Sequence, residues 1–330
     1  MRALIAGGCG FIGLNLAEAL LRRGDDAVLF DRNPLPAEAA RAFAALPGEL
    51  TVVMGDIRDG EAVAGAFADQ SIDGVFYGAA MTSGPERERT ASAEVLQVNL
   101  LGLVHVLTAA AGAGVGRVIN ISSAAAYGRS RLEGEGPLVE GETPSVPDTL
   151  YGISKHASEA VCRRLGLLLE LPVLSVRLTA VYGPWEIDSG ARDTLSPLMQ
   201  AALAALRGTP AVLPRRDNQD WVYSRHVAEA LLALMAAEAP AHDLYHITSG
   251  RSCGVADWCA ALAGAYPDFQ YRLAGPGEAA TIELHNDRDR RPMSADRLAE
   301  DIGHRLPDDP AAAFADMLAW MRDHGAFWDG

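Results

Sequence analysis

The first 23 residues constrain the fold more than any other stretch. An apolar run at 2–7 (RALIAG) leads straight into GGCGFIG, and 11–23 then reads as a helix ended at Gly24. Gly7, Gly10 and Gly13 give the turn a GxxGxxG spacing. At a strand-to-helix turn this spacing has a physical reason. The first glycine permits the tight turn, the second lets backbone approach a pyrophosphate, and the third lets helix and strand pack closely. The free N–H groups and dipole of the helix N-terminus favour the phosphate. The motif gains weight from its strand–turn–helix setting.

The rest of the chain repeats that setting. Apolar runs recur at 27–31 (AVLFD), 50–55 (LTVVMG), 74–80 (GVFYGAA), 117–123 (RVINISS) and 172–178 (PVLSVRL), with helical stretches at 90–113 and 149–169. Continuous apolar strands separated by helices predict a parallel sheet covered on both faces. The expected fold is therefore α/β, a Rossmann-type doubly wound parallel sheet over 1–180. Beyond it, prolines and glycines loosen the pattern. A helix at 222–238 and a late strand within 242–250 are expected to pack back onto the sheet. The segments 181–221 and 249–330 are expected to form a smaller C-terminal substrate-binding domain.

Composition narrows the partners. The 330 residues are 49% hydrophobic and carry a formal net charge of −15. Such a surface repels nucleic acid and anionic membranes. No apolar run approaches the length of a membrane span. The four cysteines (Cys9, Cys162, Cys253, Cys259) form no CxxC pair and no zinc spacing, so no metal is expected. Free thiols of this kind suit a reducing cytoplasm.

The second strand ends at Asp31, 24 residues after Gly7. A carboxylate there accepts hydrogen bonds from ribose hydroxyls and repels a 2′-phosphate, which favours NAD over NADP. Arg32 beside it works in the opposite sense. Asp56 and Ile57 follow the third strand, placed to meet the adenine.

The sequence YGISK (151–155) holds the single lysine of the chain, against 27 arginines. Only 8 of the 330 positions lie four residues after a tyrosine. Tyr151 and Lys155 share one helix face at that spacing. An ordinary tyrosine is a poor base at neutral pH. A neighbouring ammonium stabilises the phenolate, and lysine is a compact charge that arginine's planar fork does not replace. Ser122 and Ser123 end the fifth strand at the carboxyl edge of the sheet, where ligands of such sheets bind. A serine there can hold the reacting oxygen against Tyr151. His105, in an apolar helix, reads as structural.

These features occur in order: GxxGxxG, GAA after strand four, VNLLG with Asn99, the serine pair before AAAYG, YxxxK, and VRLTAVYGP. Together they resemble the extended short-chain dehydrogenase/reductase family, the NAD-dependent epimerase/dehydratase group. The resemblance covers essentially the whole chain. It implies catalytic roles for Ser123, Tyr151 and Lys155, and NAD as cofactor. It implies NAD contacts at Gly7, Gly10, Phe11, Ile12, Asp31, Asp56, Ile57, Gly78, Ala79, Ala80, Asn99, Tyr151, Lys155 and Thr179. It also implies a homodimer built through 90–113 and 149–169.

The departures bear on substrate. The group's sugar dehydratases carry an Asp-Glu pair, and its decarboxylases a glutamate, where this chain has Ala124, Ala125 and Ala126. Both readings fall, leaving epimerase or dehydrogenase chemistry. Ala180 stands where nucleotide-sugar enzymes have asparagine, and Gln219 stands where they have an arginine for the nucleotide. The expected substrate is therefore smaller, a sugar, sugar acid or polyol. Ser83, Arg192, Trp221, Tyr223 and Arg225 are its candidate pocket, with Ser123. A nucleotide-sugar 4-epimerase is the alternative. A non-catalytic dinucleotide sensor would have no need of Ser123, Tyr151 and Lys155 together.

Overall fold

The computed structural model describes residues 1–68, 70–187, 190, 194–284 and 287–328, with the side chains of Ala326 and Trp328 set aside. Six strands alternate with helices in the first half: β1 (Arg2–Ala6), β2 (Asp26–Asp31), β3 (Leu50–Met54), β4 (Gly74–Tyr77), β5 (Arg117–Ser123) and β6 (Val173–Leu178). Six more follow: β7 (Ala180–Tyr182), β8 (Ala211–Leu213), β9 (Asn218–Tyr223), β10 (Leu244–Ile247), β11 (Ser252–Gly254) and β12 (Tyr271–Leu273). The main sheet runs β3-β2-β1-β4-β5-β6-β10, and every pairing in it is parallel. This is the doubly wound order, in which the direction of winding reverses between β1 and β4 and leaves a crevice at their carboxyl ends.

The strands are buried because helices cover both faces. β1, β2, β4 and β5 are buried nearly throughout for that reason. Helix Phe11–Arg22 packs against helix Ser224–Ala236 on one face. Helix Gly102–Gly112 and helix Leu150–Leu168 pack on the other, where Leu103, Val106, Leu107 and Cys162 meet Leu4, Val75 and Val118. Two small sheets, β11-β9-β7 and β12-β8, gather the later segments. One apolar cluster continues from the sheet into them through Trp185, Trp258, Phe314 and Trp320.

The expected strands lie within two or three residues of those found. The stretch 90–113 differs more. It divides into Ser92–Leu96, a π-helical turn at Gln97–Leu101 and Gly102–Gly112. Together these make one continuous helical run, Ser92–Gly112, long and apolar enough to cross a membrane by composition. Here Val95, Val98, Leu103, Val106, Leu107 and Ala110 of that run pack into the core.

Candidate active site

The glycine turn is built as its sequence requires. Gly7 adopts φ +79, a left-handed conformation that glycine alone takes without strain. A Cβ there would lie 2.7 Å from the Ala79 backbone nitrogen. The segment after β4 (Gly78, Ala79, Ala80) thus forms one wall of a cleft, and the turn forms the other. The helix that Phe11 opens has Gly10, a residue with no side chain, at its N-cap. Phe11 is buried and Ile12 is half-buried beneath the turn.

The far end of the cleft is polar. The Asp31 carboxylate accepts hydrogen bonds from Cys9 N (3.0 Å) and Asn33 N (2.9 Å), which tie it to the turn. Burial raises its pKa above the usual carboxylate range, against those hydrogen bonds. Asp56 is held below that range, first by its hydrogen bonds from Arg58. Ile57 is buried, and its carbonyl meets His105 Nδ1 at 3.2 Å. Arg32 sits 3.8 Å from Glu94, which also pairs with Arg58 at 3.2 Å. Gly7, Gly10, Asp31, Arg32, Asp56 and Ile57 line this cleft together with Gly78, Ala79, Ala80 and Met81.

Ser123, Tyr151 and Lys155 are not among the residues lining this cleft; they lie on the end of β5 and on helix Leu150–Leu168, which Asn99 joins to the cleft wall at Met81. Thr149 caps helix Leu150–Leu168 by accepting from Gly152 N (3.1 Å), which sets Tyr151 in the first turn. Lys155 follows one turn later and is 97% buried, from a relative exposure of 3%. Its Nζ donates to the Ile121 carbonyl at 2.7 Å and stands 5.8 Å from the centre of the Tyr151 ring. Burial pushes its pKa down, while Tyr151, Cys162 and Glu159 pull it up. Ser123 ends β5, and its Oγ accepts from Ala125 N at 3.1 Å as the chain turns into the short 3-10 helix Ala124–Tyr127. That turn docks on the tyrosine helix at Gly152, where a Cβ would lie 2.5 Å from the Ala125 carbonyl oxygen. The glycine of YGISK is what lets the Ser123 turn approach Tyr151.

Alternation along β5 gives Ser122 a different task. It donates to Glu159 (2.7 Å), which takes two further hydrogen bonds from Arg177 (2.8 and 2.7 Å). This buried pair braces the helix beneath Lys155. Asn99, presented by the π turn, also braces it. Its side chain accepts from Met81 N (2.8 Å) and donates to Met81 O (3.1 Å) and Ser154 Oγ (2.9 Å). Asn99 therefore ties the cleft wall to helix Leu150–Leu168. The Thr179 hydroxyl donates to the Asp220 carbonyl (2.7 Å).

The pocket candidates separate. Ser83 is buried near Glu88, whose carboxylate accepts from Leu150 N (2.6 Å) at the start of the catalytic helix. Trp221 and Tyr223 instead line a second hollow of about 460 Å³ with Tyr182 and Phe314. None of Ser123, Tyr151 and Lys155 is among the residues bordering it. Tyr223 and Arg225 are engaged by Asp316, and Arg225 also by Glu18. Arg192 lies outside the described residues. Gln219 donates to both oxygens of Asp217 (2.8 and 2.9 Å).

Several residues that carry this site gave no sequence signal. Glu88 is one. Asp220 is another, its buried carboxylate accepting from Thr248, Ser249 and Met293 N. Arg291 donates to the carbonyls of Ser130, Glu133, Glu135, Gly136 and Pro137, and so holds the loop after the Ser123 turn. Among 27 arginines, no single one stands out by type.

NAD suits this cleft on its own chemistry. Close backbone approach at Gly7 and Ala79 suits a pyrophosphate, the helix N-terminus beside it attracts negative charge, and Asp31 offers an acceptor for ribose hydroxyls. The comparisons agree. Residues 3–247 match the model of the NAD dependent epimerase/dehydratase family. A dTDP-L-rhamnose 4-epimerase from Burkholderia thailandensis is 27% identical over 80% of this chain and 81% of its own length. A dTDP-glucose 4,6-dehydratase from an Actinoplanes species is 27% identical over 99% of this chain and 100% of its own. The crystal structure of the Thermotoga maritima UDP-glucose 4-epimerase with UDP-glucose shares the fold, with TM-score 0.80, 22% identity and coverage of 98% and 99%. The chain belongs to the NAD-dependent epimerase/dehydratase family, within the extended short-chain dehydrogenases/reductases, and is an enzyme with NAD as its cofactor.

Proposed function

We propose that the enzyme moves a hydride between NAD and a secondary alcohol of a sugar or sugar-acid-like substrate. The observation that carries this reading is Lys155, buried one helical turn from Tyr151 while the Ser123 turn docks against the same helix at Gly152.

Gly7, Gly10, Asp31, Asp56 and Lys155 would hold the cofactor, with Asn99 and Thr179 fixing the walls around it. NAD supplies, when bound, the acceptor for a hydride. The protein's part is proton transfer and orientation. Ser123 Oγ donates a hydrogen bond to the substrate oxygen and fixes its distance from Tyr151. The Tyr151 phenolate takes the hydroxyl proton as the carbon gives up its hydride, leaving a carbonyl. The Lys155 ammonium, 5.8 Å from the centre of the Tyr151 ring, puts a positive charge beside the proton acceptor. In the reverse direction Tyr151 returns the proton. The three alanines after Ser123 place no carboxylate there to expel water, which points away from dehydration.

A second reading, a nucleotide-sugar 4-epimerase, is favoured by the named activity of the Burkholderia relative. The two differ in the fate of the hydride. A dehydrogenase releases NADH, whereas an epimerase returns the hydride and shows no net absorbance change. Purified enzyme, NAD and separate panels of sugars, sugar acids and nucleotide sugars distinguish them when NADH and product stereochemistry are followed together. Absence of turnover across all panels contradicts both.

The enzyme is also proposed to act as a homodimer. Leu96, Leu101, Ile153, Leu167 and Leu168 are exposed on the helical run Ser92–Gly112 and its neighbour Leu150–Leu168, 37–74% accessible. Ile153 and Leu167 lie about four turns apart on one face. Leu101→Asp combined with Ile153→Asp is expected to give a monomer in light scattering.

A further inference from the structure

Two arginines near helix Leu150–Leu168 make no ion pair among the described residues. Arg131 ends the short helix Arg129–Arg131, which follows the Ser123 turn. Arg290 sits on the segment whose next residue donates Arg291 N to Arg131 O at 2.9 Å. The five carbonyls that Arg291 gathers lock this contact. Both guanidinium groups are part-buried. Arg131 makes a single long hydrogen bond, Nε to Gly128 O at 3.4 Å, and Arg290 makes none among the described residues. Tyr151 and Asp148 lie within electrostatic reach of Arg131. Arg131, Arg215, Asp217 and Asp148 lie within reach of Arg290. Arg215 is already paired with Asp217 and Asp289.

We propose that Arg131 and Arg290 form an oxyanion clamp that holds a carboxylate or phosphate of the substrate next to Tyr151. This rests on the reading of Tyr151 as the proton acceptor and specifies what it acts on. An arginine keeps its charge in proteins, and leaving one part-buried without an anion is costly. Two such charges set side by side repel. Arg290 shows the strain: burial, then Arg131, push its pKa down to about 9. An anion bridging the pair would relieve both terms, and the planar fork of each guanidinium matches a carboxylate or phosphate with two parallel hydrogen bonds. The cation that Gln219 does not supply is thus present elsewhere, on the loop after Ser123 and on 290.

The test pairs D-glucuronate with D-glucose, its neutral counterpart, and adds D-glucose 1-phosphate and UDP-glucose. Binding to NAD-loaded Tyr151→Phe is measured by calorimetry, so that it does not depend on turnover. The clamp predicts tighter binding of at least one anionic compound than of glucose, by about 100-fold. Which anion binds separates carboxylate from phosphate sources. Arg131→Gln and Arg290→Gln, each in that background, are expected to cut the anion-over-neutral ratio by about 10- to 100-fold. Arg272→Gln removes an exposed arginine paired with Glu278 and serves as control, with the ratio kept. Arg290→Gln should also raise the melting temperature of the ligand-free protein, since it removes an uncompensated charge. A structural arginine would lower it. Equal binding of anionic and neutral compounds, or an unchanged ratio in both variants, overturns the clamp. Anion binding that needs both arginines, with no turnover in wild type, keeps the clamp and overturns the proposed reaction instead.

Discussion

Lys155 should cost stability for the sake of function, and replacing it separates its charge from its shape. Lys155 is 97% buried, by its relative exposure of 3%, and among the described residues its three donors make a single hydrogen bond, to Ile121 O. Taking an ion out of water costs several kcal/mol after relaxation. A hydrogen bond from a charged donor returns about 1.5–3 kcal/mol. The balance is unfavourable, in keeping with the downward push that burial gives its pKa. Lys155→Met keeps most of the volume and removes the ion. It also leaves the Ile121 carbonyl without that donor, so the net gain is expected at about 1 kcal/mol, a melting rise of a few degrees at most. The sign can be checked with pH. The folded-state pKa lies below the unfolded one, so the unfolded chain binds the proton more readily between the two. The penalty is full below the folded-state value and fades as pH rises through it toward the ordinary lysine range. The advantage of Lys155→Met over wild type should shrink in the same way. Lys155→Arg keeps the charge and overfills the site, which costs about 1–3 kcal/mol. Both variants should lose about 10²-fold or more in kcat. Differential scanning calorimetry across pH, with steady-state kinetics, reads all of this. A Lys155→Met protein less stable than wild type by 2 kcal/mol or more (about the hydrogen-bond value) would refute the reasoning, as would near-normal turnover by Lys155→Arg.

Other outcomes follow from single contacts. Glu159→Gln strands Arg177 in the core and should cost about 3–5 kcal/mol, seen in denaturant titration; a loss under about 1 kcal/mol would show the pair does not brace the helix. Gly7→Ala forces a Cβ to 2.7 Å from Ala79 N at positive φ, so NAD affinity should fall at least about 10-fold in fluorescence titration, and retained affinity would count against the cleft assignment. Burial pushes the Cys9, Cys162 and Cys259 thiols up to about 12. They should resist alkylation in the native enzyme, while half-buried Cys253, at about 11, reacts first in a mass-spectrometric time course.

The parts of this molecule legible in sequence are those with local period or local spacing. β5 runs over the same residues, 117–123, in both readings, because a short stretch rich in β-branched residues between glycine and alanine turns has few alternatives. The glycine turn and the Tyr151–Lys155 spacing are likewise contained within one turn or one helix. The π turn at Gln97–Leu101 was not legible, since its pattern is as apolar as the helices on either side. The clamp residues were hidden for another reason. Arg131, Arg290 and Arg291 meet through loops about 160 positions apart in sequence, joined by backbone hydrogen bonds that leave no periodic trace. Gln219 and Ala180 could be read as missing handles, but the partner of Gln219, Asp217, needed the fold.

Comparison of wild type with Tyr151→Phe, both loaded with NAD and offered sugars, sugar acids and nucleotide sugars, tests the central claim most directly. NADH absorbance and product stereochemistry are followed side by side. The account predicts turnover of at least one compound by wild type and a loss of about 10²-fold or more in Tyr151→Phe, with NAD affinity retained. Turnover by Tyr151→Phe at the wild-type rate would contradict it.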